Sequence, residues 1–200
     1  MRLLSALLLF IGGVSLAAQE ATEPQTKKDA VAVDKDLLAD VEDSKPLQDA
    51  TQNAKEAAAY SGLLRHVRAV PDAALVKAAR SDVAYAKLME EPAKYRGEPI
   101  HIKGRLRRLA RMDAPPDLVK DGTKAVYQAW IFPEGGEAGS DPYCVVFVEI
   151  PKGVEPAEKT AYRISCDAFF FKRLRYKSVA GDMREAPLLI GRSPQLQKSE

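Results

Sequence analysis

The pattern of apolar positions changes character twice along the chain. Residues 3–14 are nearly all apolar. From about residue 36 to residue 88 the spacing is helical. Ala57, Tyr60, Leu64 and Val67 recur at intervals of three, four and three, which makes one face of an amphipathic helix. Leu37, Leu38 and Val41 make a shorter first turn. Pro71 interrupts, and Asp72 is placed to cap a second helix carrying Leu75, Val76 and Ala79. Ser81-Asp82 is placed to cap a third with Val83, Tyr85, Leu88 and Met89, which Pro92 ends. Helices this short do not stand alone, so they are expected to form an arm packed on the next domain.

From Pro99 the period becomes two. Ile100, Ile102, Gly104 and Leu106 alternate with His101, Lys103, Arg105 and Arg107, the pattern of a half-buried strand. A polar loop follows at 113–117. Further strands are expected at 125–132, 143–150, 160–176 and 187–191, separated by the glycine-rich stretch 133–140 and the turn at 151–153. Five strands in about 95 residues suit a small closed barrel. The expected fold class is therefore α+β: an N-terminal helical arm followed by a five-stranded, OB-like antiparallel β-barrel. The expected divisions are 1–18, 19–35, 36–91 for the arm and 92–200 for the barrel domain.

The first two divisions rest on composition. A short positive start, an apolar run of about a dozen residues and small residues at Ser15 and Ala17 describe a cleaved secretory signal. The run is too short to span a bilayer easily, since a spanning helix wants about 20 apolar residues. The expected mature protein is exported, periplasmic or secreted, with no transmembrane segment left after cleavage. Residues 19–34 have almost no large apolar group and are expected to be a disordered leader. The 200-residue chain carries a net charge of only +2, so no strong field steers it to nucleic acid or membrane. The charge divides unevenly, with −3 over residues 19–98 and +4 over residues 99–200.

In an exported setting the two cysteines need a reading. Cys144 shares its alternation with Val146 and Val148, and Cys166 shares its own with Ile164 and Ala168. Both are expected to face one core. The choice between a disulfide and two buried thiols stays open, because sequence does not fix their distance.

The segment Tyr95-Arg96-Gly97-Glu98-Pro99-Ile100-His101-Ile102-Lys103-Gly104-Arg105 resembles the opening of exported bacterial OB-type domains. Gly97 would turn the chain into the strand, and Gly104 would let that strand coil tightly. The wider pattern is similar to a family of exported, planctomycete-type proteins with an OB-like domain and no assigned activity. The likeness rests on Ala59-Tyr60 with Leu63-Leu64, on the run Phe169-Phe170-Phe171-Lys172-Arg173 with Tyr176, and on Ala186-Pro187-Leu188-Leu189. It implies the fold and export, and brings no catalytic residues.

Candidate chemistry is sparse. His66 and His101 have no partner at triad or metal-ligand spacing and read as surface side chains. No nucleophile elbow or phosphate-binding glycine loop is present. No catalytic residue, metal or cofactor is expected. What remains is basic and aromatic. Lys103, Arg105 and Arg107 share one strand face, Trp130 lies on the second strand with Gln128 and Phe132, and Phe169, Phe171 and Arg173 alternate on the fourth. OB barrels bind oligomers across such faces, using stacking aromatics and cations. Lys103, Arg105, Arg107, Trp130, Phe169, Phe171 and Arg173 are the candidate ligand-binding set, for an anionic or sugar-like chain. The competing reading makes the aromatics packing and the cations a solvated face. The expected function is a non-enzymatic exported binding or scaffold module. Its expected partner is another protein or a cell-envelope component, with no nucleic acid. A cell-envelope hydrolase or enzyme accessory protein is the alternative. Mass spectrometry of natively expressed protein should find an N-terminus at Ala18 or Gln19; an intact Met1 would refute the signal.

Overall fold

A computed structural model describes residues 31–134 and 141–197. The signal segment, most of the leader and residues 135–140 lie outside the described residues. The arm consists of a 3-10 turn at Asp36–Leu38 and four helices: α1 (Ala54–Ala69), α2 (Asp72–Ala78), α3 (Tyr85–Glu90) and α4 (Pro92–Tyr95). Asn53 caps α1, its side-chain oxygen accepting from the Glu56 amide at 3.0 Å. Val70, held extended before Pro71, ends it. Tyr60, Leu64 and Val67 of the predicted stripe are buried together with Ala59 and Leu63, whereas Ala57 is only half-buried. Each aliphatic side chain so covered contributes roughly 1.5–3 kcal/mol.

The later caps differ from expectation. Asp72 is the first residue of α2 and meets Arg192 at 3.3 Å instead of capping. Asp82 takes the Arg80 guanidinium at 2.8 Å, and α3 starts three residues later without a side-chain cap. Pro92 opens α4 as well as closing α3, because a first helical position needs no amide donor. The leader is also corrected at its end. Val31 is buried against the arm, and its carbonyl meets His66 Nε2 at 3.2 Å.

The strands are β1 (Pro99–Asp113), β2 (Ala125–Pro133), β3 (Tyr143–Phe147), β4 (Tyr162–Lys177), β5 (Met183–Gly191) and β6 (Gln195–Leu196). A short helix, α5 (Pro116–Lys120), occupies the expected polar loop. The order is β1-β2-β3-β5-β4-β6, and β1 also pairs with β4. The five long strands therefore form a closed circuit of pairings. The sheet is mixed, not purely antiparallel, because β5 lies parallel to β3. It reaches β3 only after the chain has crossed through β4, as a parallel pair requires. Two glycines shape β1. Gly97 takes φ of 80° at the turn into it. At Gly104 an added Cβ would run into the carbonyl oxygen of Phe132 on β2.

The circuit separates two apolar clusters. One contains Ile100, Ile102, Leu106, Val145, Phe170 and Leu189, joined by Leu88 and Tyr95 from the arm. The other lies between α1 and the opposite faces of β2 to β5, with Val126, Cys144, Val146, Phe169, Phe171 and Leu188. Cys144 belongs to the second and Cys166 to the first, so the expectation that they share a core is corrected. Both are free and buried, which leaves no disulfide.

One irregularity in β4 controls how the arm attaches. The register with β5 slips between Phe170 and Lys172, so Phe171 is a bulged residue. Without the bulge Lys172 would follow Phe170 toward the first cluster. With it, Lys172 pairs with Leu188 and faces the arm beside Phe171. There its ammonium, with no exposed surface, meets Glu56 of α1 at 2.7 Å and donates to the Pro46 carbonyl at 3.3 Å. Glu56 is equally buried and also accepts from the amides of Glu42 and Gln48 at 3.1 and 3.2 Å. A second set adjoins it. Asp43 accepts from the Arg173 amide at 2.8 Å and from the Arg96 guanidinium at 2.7 Å. Burial drives the Lys172 pKa down, and Glu56 works against that shift.

Glu56→Gln should lower stability by about 3–5 kcal/mol in urea unfolding, because it leaves a buried ammonium unpaired. The double variant Glu56→Gln/Lys172→Met should recover part of the loss. Additive losses would show that the two groups do not act as a pair. The thiols give a second check. Burial pushes the Cys144 thiol up to about 12 and the Cys166 thiol higher still. Native protein should resist alkylation at pH 8, and both cysteines should react in denaturant without prior reduction. Labelling of either one in the native state would contradict the packing.

Candidate functional site

The seven candidate residues do not form one surface. Lys103, Arg105 and Arg107 are exposed on the outward side of β1. Phe169 and Phe171 are fully buried beneath α1, where Phe171 stands edge-on to Tyr60 at 5.9 Å and Phe169 to His66 at 5.2 Å. They bind the arm, not a ligand. Trp130 is half-buried, packed on the same cluster and on Tyr176 at 4.4 Å. Arg173 is not on the Phe169/Phe171 face at all, since the bulge at Phe171 resets the alternation. Its guanidinium donates to Ser44 Oγ at 3.0 Å and to the Met89 carbonyl at 2.8 Å, and meets Glu185 at 3.3 Å. Trp130, Phe169, Phe171 and Arg173 are thus corrected from ligand contacts to packing and anchoring groups.

The open surface is the outward side of β1 and the first half of β4. Pairing sets His101 opposite Asp167, Lys103 opposite Ser165 and Arg105 opposite Arg163. On the other flank Phe132 of β2 stands opposite Arg105. A row of Phe132, Arg105 and Arg163 therefore crosses three strands, while His101, Lys103 and Arg105 run along β1. Like charges placed directly opposite on a sheet destabilise it. Here the Arg105–Arg163 pair is only partly offset, by Glu134 at 3.6 Å from Arg163. Among the described residues Lys103, Arg105 and Arg107 have no carboxylate within salt-bridge distance. The neighbouring Arg108 does, meeting Glu158 at 2.8 Å.

A shallow recess of about 350 Å³ sits beside this row, between Arg105, Tyr162, Arg163, Leu196 and Gln197. The recess wall is fixed. Gln197 donates through its amide to the Arg163 carbonyl at 2.9 Å and through its side chain to Ser165 Oγ at 2.6 Å. Next along the row, His101 Nδ1 lies 2.6 Å from Asp167 Oδ1. That pairing and the contact of His66 with Phe169 correct the reading of both histidines as free surface groups. Arg163 and Gln197 were outside the candidate set. The alternation of Arg163, Ser165 and Asp167 on β4 is the signal for the first. Gln197 has none, because it reaches the site only through the added strand β6.

No protein-family model and no curated protein matches the chain. Among solved structures it is similar to the mitochondrial single-stranded DNA binding protein Rim1 of S. cerevisiae. A selenomethionine-labelled structure gives 12% identity and a TM-score of 0.31. An unlabelled one gives 14% and 0.27. Each covers 52% of this chain and 97% of the yeast chain. What Rim1 binds is a property of Rim1. The expectation that nucleic acid is no partner is withdrawn beside a neighbour of that name, and no partner is assigned to this chain by it. That expectation rested on export and on a small net charge, and a small total does not prevent a local cationic row like the one on β1.

Proposed function

We propose that this protein is an exported, non-enzymatic binding module of the planctomycete-type family it resembles. In this reading the closed circuit of strands is an OB-type barrel, and its outward β1–β4 face holds a linear anionic polymer. The observation that supports it most is the run of Lys103, Arg105 and Arg107 with Arg163 set directly against Arg105. Alternate residues of one strand lie about 7 Å apart, so the cations are spaced along a line, as an extended polyanion requires. Holding such a row together costs stability unless an anion relieves it. Phe132 adds an apolar or stacking surface beside the row, and the recess at Gln197 gives it a polar edge.

Binding of this kind is salt-dependent through counterion release. With four cations engaged, log K against log salt should fall with a slope of roughly −3, since each contact contributes about 0.7 for single strands. The test is titration of wild type and Lys103→Ala/Arg105→Ala/Arg107→Ala with a sulfated polysaccharide and, separately, with oligodeoxythymidine. The triple variant should bind more weakly and flatten the slope by about 2. Its unfolding free energy should change by no more than about 0.5 kcal/mol per site, as for other exposed substitutions. Equal binding by the two proteins would refute the proposal. A large drop in melting temperature would mean that the row serves packing.

A further inference from the structure

A second site lies away from this face. A cavity of about 880 Å³ opens between the segment at 31–35, α2 and the lead-in to β1. That volume is near the top of the usual range for ligand pockets, about 300–1,000 Å³. Its existence has a local cause. α2 turns Ala74 and Ala78, one helical turn apart, toward a gap that larger side chains would fill. Val31, Val33, Pro71 and Pro99 supply the remaining apolar wall. Gly97 contributes bare backbone at φ of 80°, where Val33 and Leu38 already crowd the place of a Cβ. Among the described residues no aromatic ring lines the cavity.

The charged groups at its margin are Lys35, Lys77, Arg96 and Glu98. Arg96 is already committed to Asp43 and to the Phe171 carbonyl, at 2.7 and 2.8 Å. Lys35 and Lys77 are exposed and have no carboxylate partner among the described residues. One comes from the leading segment and one from α2, so the two cations reach the same opening from different elements.

We propose that this cavity binds a medium-chain fatty acid. The aliphatic chain lies against Val31, Val33, Ala74 and Ala78, and the carboxylate is held at the opening by Lys35 and Lys77. An aliphatic wall without directed hydrogen-bond donors selects a flexible hydrocarbon, and the paired lysines select its anionic end. This site is independent of the β1–β4 face.

Isothermal titration of the full chain with dodecanoate and with dodecanol tests the assignment. Dodecanoate should bind saturably at one per chain, and dodecanol at least tenfold more weakly. Lys35→Ala/Lys77→Ala should bring dodecanoate down to the level of dodecanol. Ala74→Leu, which fills the cavity, should abolish binding of both. The lysine variant alters only exposed positions, so it decides the question even if Ala74→Leu fails to fold. The Lys103/Arg105/Arg107 variant should bind dodecanoate like wild type. Absence of saturable dodecanoate binding would overturn the proposal, as would equal affinity for acid and alcohol in wild type, or full dodecanoate affinity in the lysine variant.

Discussion

The buried pair of Lys172 and Glu56 is the contact on which the arm's position depends. Neither group has any exposed surface, so each is tolerable only because the other is present. An unpaired ammonium in that place would be far costlier than a mispacked leucine. The pair therefore specifies where the start of α1 must sit on β4, more strictly than the apolar contacts around it do. Hydrophobic contacts along α1 could slide by a turn and still bury similar area. The carboxylate could not slide, because it also collects the amides of Glu42 and Gln48.

That attachment decides which surfaces remain for anything else. The arm covers the side of the circuit formed by β2 to β5 and consumes its aromatic residues. The other outward side, where β1 meets the start of β4, has β6 added at the β4 edge and a bridge from Arg80 to Ile100 at the start of β1. The same chain thus divides its basic and aromatic groups between two tasks. Arg96 and Arg173 are spent inside the structure on Asp43, Ser44 and backbone carbonyls. Lys103, Arg105 and Arg107 stay in solvent.

The sequence carried much of this frame. The change of period near Pro99, the stripe of α1 and the turn at Gly97 were all legible, because each depends on neighbours within a few residues. What was hidden has a common cause. The bulge at Phe171 changes the side on which every later residue of β4 falls, and nothing in Phe-Phe-Phe-Lys-Arg announces it. Periodicity therefore grouped Arg173 with Phe169, whereas pairing with β5 puts Lys172 there instead. The separation of Cys144 from Cys166 was hidden for a similar reason. Alternation within a strand shows that a residue faces an apolar side, and strand pairing alone shows which of two such sides it is. The lengthening of β1 and β5 came from pairing partners, not from their own polar residues.

The distance along the chain between Glu56 and Lys172, 116 residues, has a consequence for synthesis. A chain emerging from its N-terminus presents α1, with its apolar stripe and its carboxylate, long before β4 exists to receive them. Closure of the circuit waits as well, because β1 and β4 are far apart in sequence and β5 enters only after β4. Contacts of such long range form slowly. A nascent chain that lacks its last quarter can pair β1 with β2 and β2 with β3, but it can neither close the circuit nor give Glu56 its lysine. The same topology that makes the finished arm hard to displace leaves the unfinished chain without its anchor.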